Sequence, residues 1–100
     1  MTEITFLAGA ERDFLRIYAH AEDRARGGGD RFSQEVDQVL ALLARMPRLG
    51  RVVGTPYRRL KLSKHPYSLL YVVEARRVLI HGIASNYESL EVFLRRLREG

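Results

Sequence analysis

The chain has 100 residues, 46% of them hydrophobic and 29% charged, with no cysteine and a formal net charge of +5. That length supports one domain around one core, so residues 1–100 are read as a single unit, and the composition excludes a disordered chain. Without cysteine there are no disulfides and no thiolate metal sites, as suits a reducing compartment.

No apolar run approaches the roughly 18 residues of a membrane span. The opening MTEITFLAGAERDF lacks the basic and apolar regions of a signal peptide. The expectation is a cytoplasmic protein with no membrane association. The charge is uneven: residues 1–50 carry a balance of −1 and residues 51–100 a balance of +6. The excess can be solvated strand edges, or it can meet an acidic protein or a nucleic acid.

In chain order, Thr2 to Leu7 alternates Ile4 and Phe6 with Glu3 and Thr5, which predicts a short strand ended by Ala8-Gly9. A helix is expected from Ala10 to about Ala25, with Phe14, Leu15, Tyr18 and Ala21 as its apolar stripe. Gly27-Gly28-Gly29 reads as a hinge. It is not a phosphate loop, since no strand precedes it and no lysine–serine/threonine pair follows. Asp30 is the expected N-cap of a second helix carrying Phe32, Val36, Val39, Leu40 and Leu43 at helical spacing. Glu35 and Asp37 early in it and Arg45 at its end agree with the helix dipole, and Pro47 and Gly50 stop it.

Arg51-Val52-Val53-Gly54 leads into Tyr57–Val73, which predicts two strands joined by a turn at Lys64-His65-Pro66. In the first strand Arg59 and Lys61 face one way and Leu60 and Leu62 the other, as in a half-buried strand. The second, with Leu69 to Val73 continuously apolar, suits a central strand. A turn at Glu74-Ala75-Arg76 leads to a third strand, Arg77 to Ala84. Ser85-Asn86-Tyr87-Glu88 fits a capping box opening a last helix, Asn86 to Arg98, with Leu90, Phe93, Leu94 and Leu97 on its apolar side. That terminal helix is the expected movable element.

The layout is β-α-α-β-β-β-α, an α+β fold whose small, mainly antiparallel sheet is covered on one face by a helical hairpin. The hairpin could also support a homodimer.

His20, His65 and His81 share no metal-ligand spacing, so neither metal nor cofactor is expected. His65 before Pro66 reads first as turn chemistry. Tyr67 and Tyr71 share a strand face, with packing as their first role and surface recognition as their second. No GxSxG, paired-carboxylate or dinucleotide pattern is present.

This element order resembles the RelE/ParE superfamily, the toxins of bacterial type II toxin–antitoxin (plasmid stabilisation) modules. The resemblance rests on Ala10–Tyr18 as the first helix and on Leu42–Arg51 (LLARMPRLGR) as the passage out of the second. It rests further on the hairpin of Arg59-Leu60-Lys61-Leu62 and His65-Pro66-Tyr67-Ser68-Leu69-Leu70-Tyr71. Pro66-Tyr67 and Tyr71 look closer to the ParE side. The resemblance implies a growth-inhibiting toxin with a cognate antitoxin, whose target is DNA gyrase in ParE-like members and ribosome-bound mRNA in RelE-like members.

Cleavage by a ribose 2′-OH needs a base, an acid and positive charge on the phosphorane, without a metal. Laid on the RelE hairpin, this sequence has Lys61 at the first of two lysines but Ser63 at the second. Ser68 falls where an arginine follows the tyrosine, Tyr87 near a further arginine, and Phe93 near the C-terminal tyrosine. These departures weigh against nuclease chemistry, which would have to rest on Lys61, Arg59 and Arg58. A ParE-like binder needs only a surface, for which the candidates are Lys61, Lys64, His65, Tyr67, Tyr71, Tyr87, Arg95 and Arg96. A third reading is a non-toxic binding or regulatory relative that has lost the toxin's active residues.

Overall fold

The computed structural model describes residues 2–99 and contains five strands and three helices. In chain order these are β1 (Glu3–Phe6), α1 (Ala8–Arg24), α2 (Gly28–Arg45), β2 (Arg51–Gly54), β3 (Tyr57–Lys61), β4 (Tyr67–Glu74), β5 (Arg77–Ser85) and α3 (Leu90–Glu99). The sheet order is β1-β5-β4-β3-β2. β1 lies parallel to β5 and every other pair is antiparallel. The expected α+β layout is present with one addition. RVVG, read from the sequence as a lead-in, is the edge strand β2. Four residues closed by a glycine carry too little alternation to announce a strand. Pairing with Arg58 and Arg59 makes them one.

The αα-hairpin covers one sheet face. Ala10 and Ile17 of α1 and Phe32, Val36 and Leu43 of α2 bury against Leu69, Tyr71, Val78, Ile80 and Ile83. At roughly 1.5–3 kcal/mol per large side chain buried, this layer dominates the fold's stability. The stripe of α1 keeps the expected Phe14 and Tyr18 against the core but has Ile17 in place of Leu15. Ala10, Phe14 and Ile17 follow the 4–3 spacing of a single face, and Leu15 is 65% exposed beside it.

The glycine run joins the helices by close contact as well as by bending. Gly27 has φ of +81°, in the left-handed region, and caps α2. A Cβ on Gly28 would collide with the backbone carbonyl of Ala21, and one on Gly29 would lie 2.7 Å from the ring of Tyr18. Asp30 is not the N-cap. The helix starts at Gly28, Glu22 of α1 accepts from Gly27 N and Gly29 N at 3.1 Å each, and Asp30 accepts from the Tyr18 hydroxyl.

The other sheet face carries α3. Phe93 and Leu94 bury against Leu70 and Ala84, with Val53, Tyr57, Leu90 and Leu97 around them. The capping box at Ser85–Glu88 does not form, because Ser85 belongs to β5 and the helix begins at Leu90. Ser85 Oγ accepts from Tyr87 N at 3.1 Å within a turn, and Ser89 makes the helix-opening contacts, Oγ to Val92 N at 3.5 Å and carbonyl to Phe93 N at 3.0 Å. Pairing across to Tyr67 holds Ser85 in the strand.

Candidate functional site

The α3 side of the sheet extends beyond α3, and there the strand ends and loops gather at one end of the domain. Arg59 and Lys61 point to this side, opposite Leu70 and Ser68 of β4. Ser68 is fully buried beside the apolar run Leu69–Val73, and its hydroxyl is bonded. Arg59 Nε donates to Ser68 Oγ at 3.1 Å, Arg59 Nη2 donates to Asn86 Oδ1 at 3.2 Å, and Ser68 Oγ donates to the same Asn86 oxygen. Arg59 is thus held by two neutral groups, with its charge uncompensated by any ion pair among the described residues. Asn86 N donates to Pro66 O at 2.9 Å, which ties the loop after β5 to the β3–β4 turn. Lys61, Lys64 and Tyr87 are exposed around this junction, Tyr87 at 89%.

The turn is fixed from the opposite side by Glu35, only 4% exposed. Its carboxylate accepts from Ser63 N at 2.9 Å, Ser63 Oγ at 3.0 Å and Lys64 N at 2.8 Å, and meets His65 Nδ1 at 2.7 Å. Burial raises the Glu35 pKa, but the bonds from His65, Lys64 and Ser63 outweigh it and hold the carboxyl below its ordinary 4.5. His65 also sets its ring edge against Phe32, centroids 5.6 Å apart.

Several residues singled out in the sequence lie elsewhere. Arg58 projects to the hairpin face, since neighbours on a strand alternate, and donates to the carbonyls of Gly50 at 2.7 Å and Arg48 at 3.3 Å. It does not converge with Arg59 and Lys61. Tyr71 is fully buried and takes no part in any surface; its hydroxyl accepts from Gly50 N at 2.7 Å. Burial pushes that phenol up, against the Gly50 bond and the Arg58 charge. Tyr67 is half-buried against Phe32 on the hairpin side. On α3, Arg95 lies 3.8 Å from Glu91, and Arg96 lies 3.6 Å from Glu88 and over the Phe93 ring. His81 stacks edge-on to Tyr57 at 5.3 Å, and burial lowers its pKa against the opposing pull of Glu74.

Among the described residues no cluster of three His, Asp or Glu side chains is placed to hold a metal, and no helix is long and apolar enough to cross a membrane. Sequence reasoning missed the anchoring role of Glu35 and the Ser68–Asn86 pair. A serine immediately before the continuously apolar run Leu69–Val73 was the one signal for the latter.

The fold is shared with solved structures of bacterial toxins and toxin–antitoxin systems, at identities that establish the fold alone. A chain of a chromosomal ParDE TA system from P. aeruginosa aligns with TM-score 0.63 at 20% identity, over 85% of this chain and 96% of that one. The isolated E. coli RelE toxin aligns with TM-score 0.62 at 18% identity, over 99% and 98%. A copper-bound mutant toxin from Helicobacter pylori aligns with TM-score 0.60 at 14% identity, over 85% and 94%. No curated protein sequence matches the chain. The sequence pattern of the ParE toxin of the type II toxin–antitoxin system parDE matches residues 4–90, and the chain belongs to the ParE toxin family.

Proposed function

We propose that this chain arrests bacterial growth by binding a protein target, DNA gyrase in the first instance, and that a cognate antitoxin neutralises it. The observation that carries the reading is the bonding of Arg59. General acid–base cleavage of RNA needs titratable groups within hydrogen-bond reach of the reacting oxygens. Around Arg59 the bonded partners are Ser68 and Asn86, which do not titrate in the physiological range, and the imidazole of His65 in the adjoining turn is bonded to Glu35. What the surface offers instead is exposed positive charge and an exposed aromatic ring, Lys61, Lys64 and Tyr87, a combination suited to recognition. That a ParDE structure shares the fold supports the antitoxin as partner.

One feature favours the ribonuclease alternative: Arg59 and Lys61 lie two residues apart on one face, a spacing that can embrace a phosphate. The experiment runs both assays on one preparation. Inhibition of gyrase supercoiling with ribosome-bound mRNA left intact is the expected result. Cleavage of that mRNA, lost in Lys61→Ala with the fold retained, would replace this reading with the nuclease. Folded protein inert in both assays and harmless on induction would mark a non-toxic relative.

A further inference from the structure

A cavity of about 470 Å³ lies where the start of α1, the middle of β5 and the end of α3 meet. Arg12, Asp13, His81 and Arg96 line it, with Leu7 and Leu97 as an apolar wall. None of these residues belongs to the group around Arg59 and Lys61. Arg12 is exposed and in no ion pair among the described residues. Its Nη2 lies 3.8 Å from the place a Cβ on Gly9 would take, so the guanidinium leans over the first turn of α1, which no side chain caps. Arg96 meets the cavity from α3, and its ion-pair partner Glu88 is 3.6 Å away.

The one carboxylate in the lining is already engaged. Ile83 N donates to Asp13 Oδ2 at 3.0 Å, and Arg16 Nη2 donates to Asp13 Oδ1 at 3.2 Å. His81 is held edge-on by Tyr57, and burial lowers its pKa against the opposing pull of Glu74. At neutral pH it therefore brings a hydrogen-bonding ring without charge. The cavity thus presents guanidiniums from two different helices, with their charge only partly offset.

We infer that this cavity binds a small molecule bearing a terminal phosphate monoester, which Arg12 and Arg96 grip together. Nothing in the site depends on the target or the antitoxin proposed above. A monoester carries about 1.5–2 negative charges at pH 7 and three terminal oxygens, which two guanidinium forks and an imidazole can share. A phosphodiester within a nucleic acid carries a single charge, and its chain must run on at both ends, whereas this recess is bounded by three elements. Leu7 and Leu97 take the carbon skeleton of the ligand, and the volume lies in the range of small-molecule sites, about 300–1,000 Å³. Because the two arginines belong to α1 and α3, an occupant ties the last helix to the first and holds α3 more firmly on the sheet.

The test titrates the full chain with phenyl phosphate and with inorganic phosphate by calorimetry at constant ionic strength. Phenyl phosphate should bind saturably and about tenfold or more tighter than inorganic phosphate, because its ring is buried against Leu7 and Leu97. Arg12→Ala should weaken phenyl phosphate about tenfold or more while leaving the thermal melt in place, since Arg12 is exposed. Arg24→Ala removes the same charge at the far end of α1 and should change the affinity less than about twofold. Amides of residues 90–97 should exchange about threefold or more slowly in the complex. No saturable binding, or equal weakening by the two substitutions, would overturn the site. Equal affinity for the two probes would mean an adventitious ion only. Binding with unchanged exchange in α3 would overturn its tie to α1. Displacement of phenyl phosphate at equal strength by an RNA oligonucleotide without terminal phosphates would overturn the assignment to a monoester.

Discussion

Replacing Glu35 tests how the basic end of the domain is held. Its carboxylate satisfies two backbone amides and a hydroxyl of the β3–β4 turn and partners His65, at distances of 2.7–3.0 Å. A buried donor left without a partner costs about 1–3 kcal/mol. In Glu35→Ala two amides are orphaned, but Ser63 and Lys64 are exposed, so water recovers part of the loss. The expected destabilisation is about 2–4 kcal/mol, with Glu35→Gln at about half of that because one carbonyl oxygen remains to accept. The assay is urea unfolding at pH 7, repeated as thermal melts at lower pH. The carboxyl is held below 4.5 in the folded state, so its stabilisation is complete above that value and is lost as pH falls through the lower, folded value. Glu35→Gln should flatten that acid limb of the stability curve. A Glu35→Ala loss smaller than about 0.5 kcal/mol, or an unchanged acid limb in Glu35→Gln, would refute the account of the turn.

Gly28→Ala forces a methyl into the Ala21 carbonyl and should destabilise by about 3 kcal/mol or more, read as a lower urea midpoint at unchanged slope. Tyr71→Phe leaves Gly50 N unpaired in a buried setting and should cost about 1–2 kcal/mol in the same assay. Gly82→Ala places a methyl in the seat of the Phe93 ring, so amides of α3 should exchange faster while those of β4 keep their protection. Tyr87→Ala should change stability by less than about 0.5 kcal/mol and, on the proposed function, weaken gyrase inhibition in a supercoiling assay.

Local pattern alone was sufficient for the helical hairpin, the β3–β4 hairpin and the continuously apolar central strand. Helical spacing, strand alternation and turn residues act within a few positions of one another. The same pattern placed Arg59 and Lys61 on one face, but Arg58, grouped with them as a candidate, lies on the other and binds the carbonyls of Gly50 and Arg48. What it could not reach were the contacts between segments distant in the chain. The strand identity of Arg51–Gly54 comes from pairing with Arg58 and Arg59. The end of β5 at Ser85, which cancels the expected capping box, comes from pairing with Tyr67. The burial of Glu35 depends on a turn 28 residues further on, a separation at which a surface carboxylate and a structural anchor look alike. The run of glycines shows the division most plainly: its bending was legible in the sequence, whereas the close approach of α1 that forbids a side chain at Gly28 exists only once two helices pack. Tertiary structure likewise decided which basic residues remain available, because a guanidinium's partners are set by what the fold brings to it. Arg58 was drawn to backbone carbonyls, Arg59 to Ser68 and Asn86, and Lys61 was left at the surface.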